Sequence, residues 1–149
     1  PYNESVQAIR QLLDEGVAKH AGISNASIEQ IDIARDILGD KLIAVQNQYS
    51  PIYRNTEDTL AYTAQVGLAF VCWSPLGGYR KAKDEIRFDP FREIAERHGV
   101  SYQQVVLAWE LAKGKHVFVI PGAHRPETIL DSLQAGDLEL SDEELATLV

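Results

Sequence analysis

Apolar positions along this chain follow two rhythms in alternation. Over residues 4–15, Val6, Ile9, Leu12 and Leu13 recur at helical spacing and Gly16 follows, which predicts a helix and its stop. Residues 19–24 are short, partly apolar and interrupted by Gly22, and read as a strand. Ser27 then precedes a periodic stretch over 28–38 that Gly39 ends, with Glu29 and Gln30 at the favourable N-terminal positions. Residues 42–46 form a near-continuous apolar run, expected for a strand buried on both faces. A turn around Ser50-Pro51 leads into a helix over about 56–65 that Gly67 ends. Residues 68–73 are the strongest strand signal in the chain.

The second half repeats the alternation. A polar loop over 77–89 precedes a helix over 90–98, ended by Gly99. Ser101 with Gln104 three residues on resembles a capping box for a helix reaching about residue 113. A strand over 116–120, a helix over 126–134 and a last helix capped by Ser141 and Glu144 complete the pattern. One helix followed by four strand–helix units predicts a parallel sheet with right-handed crossovers. The chain opens on a helix without its strand, which is out of phase for a complete set of units.

Polar or small residues gather just past each predicted strand: Ser24-Asn25, Gln46-Asn47, Ser74 and Gly122. That edge binds ligands both in a (β/α)8 barrel and in a doubly wound sheet. Neither GxGxxG nor GxxxxGK[ST] occurs, so the usual glycine-rich phosphate cradles have no support.

Composition narrows the classes. With 149 residues and 45% apolar content, the chain has the size and composition of one folded domain. Its apolar runs fall short of the ~20 residues a membrane-spanning helix needs. A net charge of -8, with no basic block, argues against nucleic acid or an anionic membrane surface as partner. A single cysteine excludes an internal disulfide and a cysteine-rich metal site. The first residues lack signal-peptide features, so a reducing, cytoplasmic setting is expected. There is no methionine, even at position 1, so a chain that is processed, engineered or a piece of something longer is expected.

Read in order, the strand ends are Ala21-Gly-Ile-Ser-Asn25, Ala44-Val-Gln-Asn-Gln-Tyr-Ser-Pro51, Cys72-Trp-Ser-Pro-Leu-Gly-Gly78 and Val119-Ile-Pro-Gly-Ala123. With Leu140-Ser-Asp-Glu-Glu144 near the end, this set resembles the aldo-keto reductase family in order and spacing. The resemblance implies a (β/α)8 barrel that transfers hydride between a nicotinamide cofactor and a carbonyl. It covers nearly the whole chain but matches only the family's C-terminal half. The expected fold is therefore half of such a barrel, a single partial domain over residues 1–149 with its first strands upstream of Pro1.

By this resemblance, Ser24 and Asn25 hydrogen-bond the nicotinamide carboxamide and Gln46 is a third polar partner. Asn and Gln offer both donors and an acceptor, as an amide ligand requires. An ordinary strand-to-helix turn would also favour Ser24 and Asn25. Trp73 holds the place where the family sets an aromatic against the nicotinamide ring; a core tryptophan is the alternative. Ser74, Leu76 and Gly77 resemble the segment that wraps the pyrophosphate with a hydroxyl and backbone amides. Pro121-Gly-Ala-His-Arg-Pro-Glu127 opens a helix suited to phosphate. There Arg125 is either a grip for the adenosine 2′-phosphate or a solvated charge. Gly122 stands where many members carry lysine, which weakens NADP against NAD. Asp131 and Ser132 stand where the family commonly has Glu-Asn near the adenine. Arg80, Lys81, Lys83 and Arg87 in the loop after Gly78 could reach phosphate from one side or simply be solvated.

The family's catalytic Asp, Tyr, Lys and His belong, by the same resemblance, to the first four strands, and no residue here replaces them. The four histidines lack metal-ligand spacing, Ser74 has no nucleophile elbow, and Cys72 reads as core packing. NADP, with NAD as the other option, is the expected cofactor, and a small carbonyl compound the expected substrate. The open sheet edges predict a partner, either the missing N-terminal half-barrel or a second copy. Two further readings stay open: a non-catalytic half-barrel that binds nucleotide or oligomerises, and another barrel enzyme with a phosphate site at the same rim.

Overall fold

The computed structural model describes residues 1–78 and 86–148. The described elements run α1 (Tyr2–Asp14), β1 (Ala21–Ser24), α2 (Ile28–Leu38), β2 (Leu42–Gln48), α3 (Glu57–Gln65) and β3 (Ala69–Trp73). They continue with α4 (Asp89–His98), α5 (Tyr102–Leu111), β4 (Val117–Val119), α6 (Pro126–Leu133) and α7 (Asp142–Thr147). The strands form one sheet in the order β1-β2-β3-β4, and every pair is parallel. The alternating apolar runs and helical stripes thus become successive β-α units, as their pattern predicts.

Local signals account for the boundaries. The Ser27 side chain accepts from the Gln30 amide and the Gln30 side chain accepts from the Ser27 amide, so α2 starts on a full capping box. Ser101 also caps α5, accepting from the Gln104 backbone amide at 3.2 Å. Here the expected box is only half made, because the Gln104 side chain turns away to donate to Asp131 and Gln134. Gly99 ends α4 in the left-handed conformation, φ 67°, which glycine adopts without a Cβ penalty.

Two apolar clusters lie between sheet and helices. One joins Val6, Ile31, Ala34 and Leu38 to Leu42 and Val45. The other packs Phe70, Cys72 and Val117 against Phe91, Val105 and Trp109. In the second, Tyr49 stacks on Trp109 at 5.6 Å between centroids and Phe91 meets the same indole edge-on at 5.5 Å. Burying a side chain such as Val45 or Phe70 contributes ~1.5–3 kcal/mol. A one-residue slip would turn these residues off the core and Gln46 and Val71 into it, so the core fixes the register.

The expectation that residues 42–46 would be buried on both faces is corrected. Along β2 and β3 burial alternates, with Val45, Asn47, Phe70 and Cys72 buried and Gln46 exposed. Helices cover one face only, and the other carries Val71 and Phe118, the latter 55% exposed. Apolar content in a strand reports that it can be buried, not that this chain supplies both covering layers.

Candidate functional site at the C-terminal edge of the sheet

The register sets side chains in rows across the uncovered face. Ser24 pairs with Gln46, Gln46 with Val71, and Val71 with Phe118. Two residues further along, Gln48 pairs with Trp73. Parallel pairing therefore brings Ser24, Gln46, Gln48 and Trp73, widely spaced in sequence, to one end of one face. Side chains in a row and its neighbour lie close enough to act on a single ligand.

Hydrogen bonds then fix the ends of β1 and β3. The Ser24 hydroxyl donates to the Gln46 carbonyl at 2.8 Å, and the Asn25 backbone amide donates to the same oxygen at 3.0 Å. The Trp73 indole N–H donates to Asn25 Oδ1 at 3.0 Å, bridging the two strand ends. Asn25, at φ 54°, and Ser74, at φ 51°, are the two non-glycine residues with positive φ among the described residues. Asparagine tolerates that region, but serine visits it seldom, and such conformations concentrate at ligand sites. Beyond Ser74 the chain closes a tight turn, with the Gly77 amide donating to the Ser74 carbonyl at 2.9 Å and Gly77 at φ 86°. Leu76 is half-buried and packs against the larger apolar cluster, so it anchors this turn.

At the β4 end, Gly122 faces open space where a Cβ would stand, and Arg125 is exposed at the N-cap of α6. Asp131 is differently occupied. Its Oδ2 accepts from the Ser101 hydroxyl at 2.6 Å and its Oδ1 from Gln104 Nε2 at 2.7 Å, which docks α6 on α5. Ser132 is buried. Both side chains thus lie in the packing between helices, while Arg125 and Gly122 face outward. Arg80, Lys81 and Lys83 lie outside the described residues. Arg87, which is described, has Nη1 donating to the Ile52 carbonyl at 3.3 Å.

The sequence pattern sets Asn47 beside Gln46 at the strand end without a role of its own. The structure buries it, with Oδ1 accepting from the Ala26 amide at 3.0 Å and Nδ2 donating to the Ala26 carbonyl at 2.9 Å. It clamps the loop that carries Ser24 and Asn25 to the neighbouring strand. The signal was present in the alternation, since a polar residue at a core-facing strand position needs a buried partner.

Ser24, Asn25, Gln46, Gln48, Trp73 and Ser74 carry no formal charge at neutral pH, so they offer hydrogen bonds and an aromatic face but no ready proton donor or base. Burial pushes the Cys72 thiol up, aided by nearby Glu110, which leaves it a packing group. A separate cavity of ≈ 520 Å³, lined by Ile52, Arg54, Asn55, Arg87, Phe91 and Leu148 among others, shares no residue with this rim. Among the described residues, no group of three or more His, Cys, Asp or Glu side chains is placed to hold a metal ion. No helix among them is long and apolar enough to cross a membrane.

A parallel sheet in sequential strand order, with helices on one face and a polar ledge at its C-terminal edge, is the architecture of part of an α/β barrel. A family model described as the aldo/keto reductase family matches residues 1–149, and the chain belongs to that family. Pyridoxine 4-dehydrogenase of Escherichia coli is 31% identical over 144 residues, covering 97% of this chain and 48% of the relative. The solved structure of the thermostable aldo-keto reductase Tm1743 with the inhibitor epalrestat superposes with a TM-score of 0.89 at 29% identity. That match covers 99% of this chain and 54% of the other. A point variant of Gox0644, solved with NADPH, shares the fold at TM-score 0.81 and 23% identity, over 98% of this chain and 51% of that one. The chain thus spans about half the length of the relatives it matches, and its four β-α units correspond to part of their (β/α)8 barrel.

Proposed function

We propose that this chain is the cofactor-holding half of an NAD(P)H-dependent reductase acting on a small aldehyde or ketone. The observation that carries the reading is the joined pair of strand ends. Asn25 and Ser74 hold left-handed conformations at the ends of two strands, and the Trp73 indole ties them together on a ledge with Ser24 and Gln46. The donor set suits a nicotinamide, whose carboxamide needs both a donor and an acceptor and whose ring needs a flat apolar face. When bound, the reduced nicotinamide supplies the hydride. Ser24, Asn25 and Gln46 orient the carboxamide and so choose which ring face meets the carbonyl; Trp73 excludes water from the other face. The turn from Ser74 through Leu76 to Gly77 offers backbone amides to the pyrophosphate. Arg125 at the start of α6 offers a guanidinium to a 2′-phosphate, favouring NADP, with Gly122 leaving room beside it.

None of the rim side chains transfers a proton, so in this reading the proton donor comes from the remaining half of the barrel. That half has apolar side chains to cover: Phe118 and Ile120 at β4, and Ile129, Leu130 and Leu133 on α6, are all left exposed. In this reading residues 1–149 are one partial domain, completed by an N-terminal half-barrel. Consumption of NADPH on addition of simple aldehydes or ketones to the full-length protein tests the function. Absence of both turnover and dinucleotide binding would overturn it.

The same uncharged rim supports a second reading, in which the chain binds a dinucleotide without catalysing its oxidation. Saturable NADPH binding with no turnover across a carbonyl panel would favour it.

A further inference from the structure

We infer that Asp131 is a positioning residue: by tying α6 to α5 through Ser101 and Gln104, it sets where Arg125 meets the dinucleotide. The inference rests on the NADP reading above, in which Arg125 grips a 2′-phosphate, and adds to it what holds that arginine in place.

The bonds between the two helices form a closed set. The Ser101 hydroxyl gives its one hydrogen to Asp131 Oδ2 at 2.6 Å and accepts from the Gln104 backbone amide at 3.2 Å. Gln104 Nε2 spends its two hydrogens on Asp131 Oδ1 at 2.7 Å and on Gln134 Oε1 at 3.2 Å. Each oxygen of the Asp131 carboxylate is thus held by the start of α5, and bonds to a carboxylate are stronger than those to a neutral acceptor. Apolar packing holds α6 less. Ile129, Leu130 and Leu133 are exposed, and Ser132 is the one buried residue of the helix. Among the described residues, the polar set is therefore the chief tie between α6 and α5.

Arg125 moves with α6. Its carbonyl accepts from the Thr128 amide at 3.1 Å and from the Ile129 amide at 3.3 Å. Pro126 follows it in the first turn, where the ring fixes φ. On the other side, residues 122–124 are exposed, so the helix rather than the loop sets the place of Arg125. Asp131 and Arg125 are roughly 9 Å apart along the axis at the rise of an α-helix. A tilt of α6 on losing its tie carries the guanidinium off a phosphate contact whose fork geometry tolerates little displacement.

Two dinucleotides and two sites separate positioning from direct contact and from general loosening. Isothermal titration of the full-length protein with NADPH and NADH would compare wild type, Asp131→Ala and Gln104→Met, each also in an Arg125→Ala background. Asp131→Ala is expected to weaken NADPH by about threefold or more and to leave NADH within about twofold, losing part of what Arg125 supplies. Gln104→Met removes a buried donor at similar side-chain length, and should lower the preference for NADPH in the same direction. With Arg125→Ala in place, neither substitution should change the preference further. A preference unmoved by Gln104→Met would overturn the inference whatever Asp131→Ala does, because the effect of Asp131 would then be its own contact with the dinucleotide or a general loosening. That outcome leaves the assignment of Arg125 intact. A wild type without preference for NADPH would instead remove that assignment and this inference with it, and failure to bind either dinucleotide would overturn the nicotinamide reading itself.

Discussion

Glu110 is the least comfortable residue in the fold, and replacing it should stabilise the protein. It lies on α5 with 0% exposure, and neither carboxylate oxygen has a hydrogen-bond partner among the described residues. Burial pushes its carboxyl well above the usual carboxylate range, so folding favours the protonated form. The folded state then holds a proton that the unfolded state releases. Stability is highest below the unfolded value, falls as pH rises through it, and levels off above the folded value. The slope in that window approaches ~1.4 kcal/mol per pH unit. A second cost persists at every pH, because even a neutral carboxyl without partners loses ~1–3 kcal/mol relative to a satisfied one. The two costs separate by substitution. Glu110→Gln removes the titration but keeps an unpartnered polar group, so its advantage over wild type should grow with pH. Glu110→Leu removes both, and should be more stable by about 1–3 kcal/mol even at pH 4. Urea unfolding of the full-length protein at pH 4 through 8 would read both effects. Parallel pH profiles for wild type and Glu110→Gln would refute the buried-proton argument.

Other perturbations probe the supports of the ledge. Asn47→Ala strands the Ala26 amide and carbonyl, so a loss of about 2 kcal/mol is expected, with faster hydrogen exchange around residues 25–27. Unchanged exchange there would show that Asn47 does not hold the loop. Arg54 lies 4.7 Å from the Trp109 ring centroid and donates to the Leu148 carbonyl at 2.8 Å, so Arg54→Ala should loosen the end of α7 and lose ~1–3 kcal/mol. Limited proteolysis near residue 148 would reveal it. Arg125→Ala should weaken NADPH by about fivefold or more and leave NADH within twofold, if its guanidinium meets the 2′-phosphate. Equal effects on both would remove that assignment.

How much of this was legible depended on whether a residue acts on near or distant neighbours. The sequence pattern predicts α2 over 28–38, the bounds the structure shows, because Ser27, Gln30 and Gly39 act within a turn of the helix they delimit. Part of the rim was readable for the same reason, since Ser24-Asn25 and Trp73-Ser74 stand at the ends of β1 and β3, whereas β2 runs on through Gln46 and Asn47, expected just past the strand, to Gln48. Long-range choices were not. Ser101 and Gln104 have the spacing of a capping box, but Asp131 lies 27 residues beyond Gln104 and accepts its side chain instead. The same contact takes Asp131 into helix packing, which no local spacing announces. Glu110 reads as one polar position among apolar ones, and only the packing of α5 shows that it is fully buried.

Isothermal titration of NADPH into the full-length protein and its Gln46→Ala, Asn25→Ala double variant tests the central claim most directly. Saturable binding is expected from the wild type and at least tenfold weaker binding from the variant, the loss expected from two or more hydrogen bonds at roughly 1 kcal/mol each, with an unchanged circular dichroism spectrum. Binding of equal strength by both, or by neither, would contradict it.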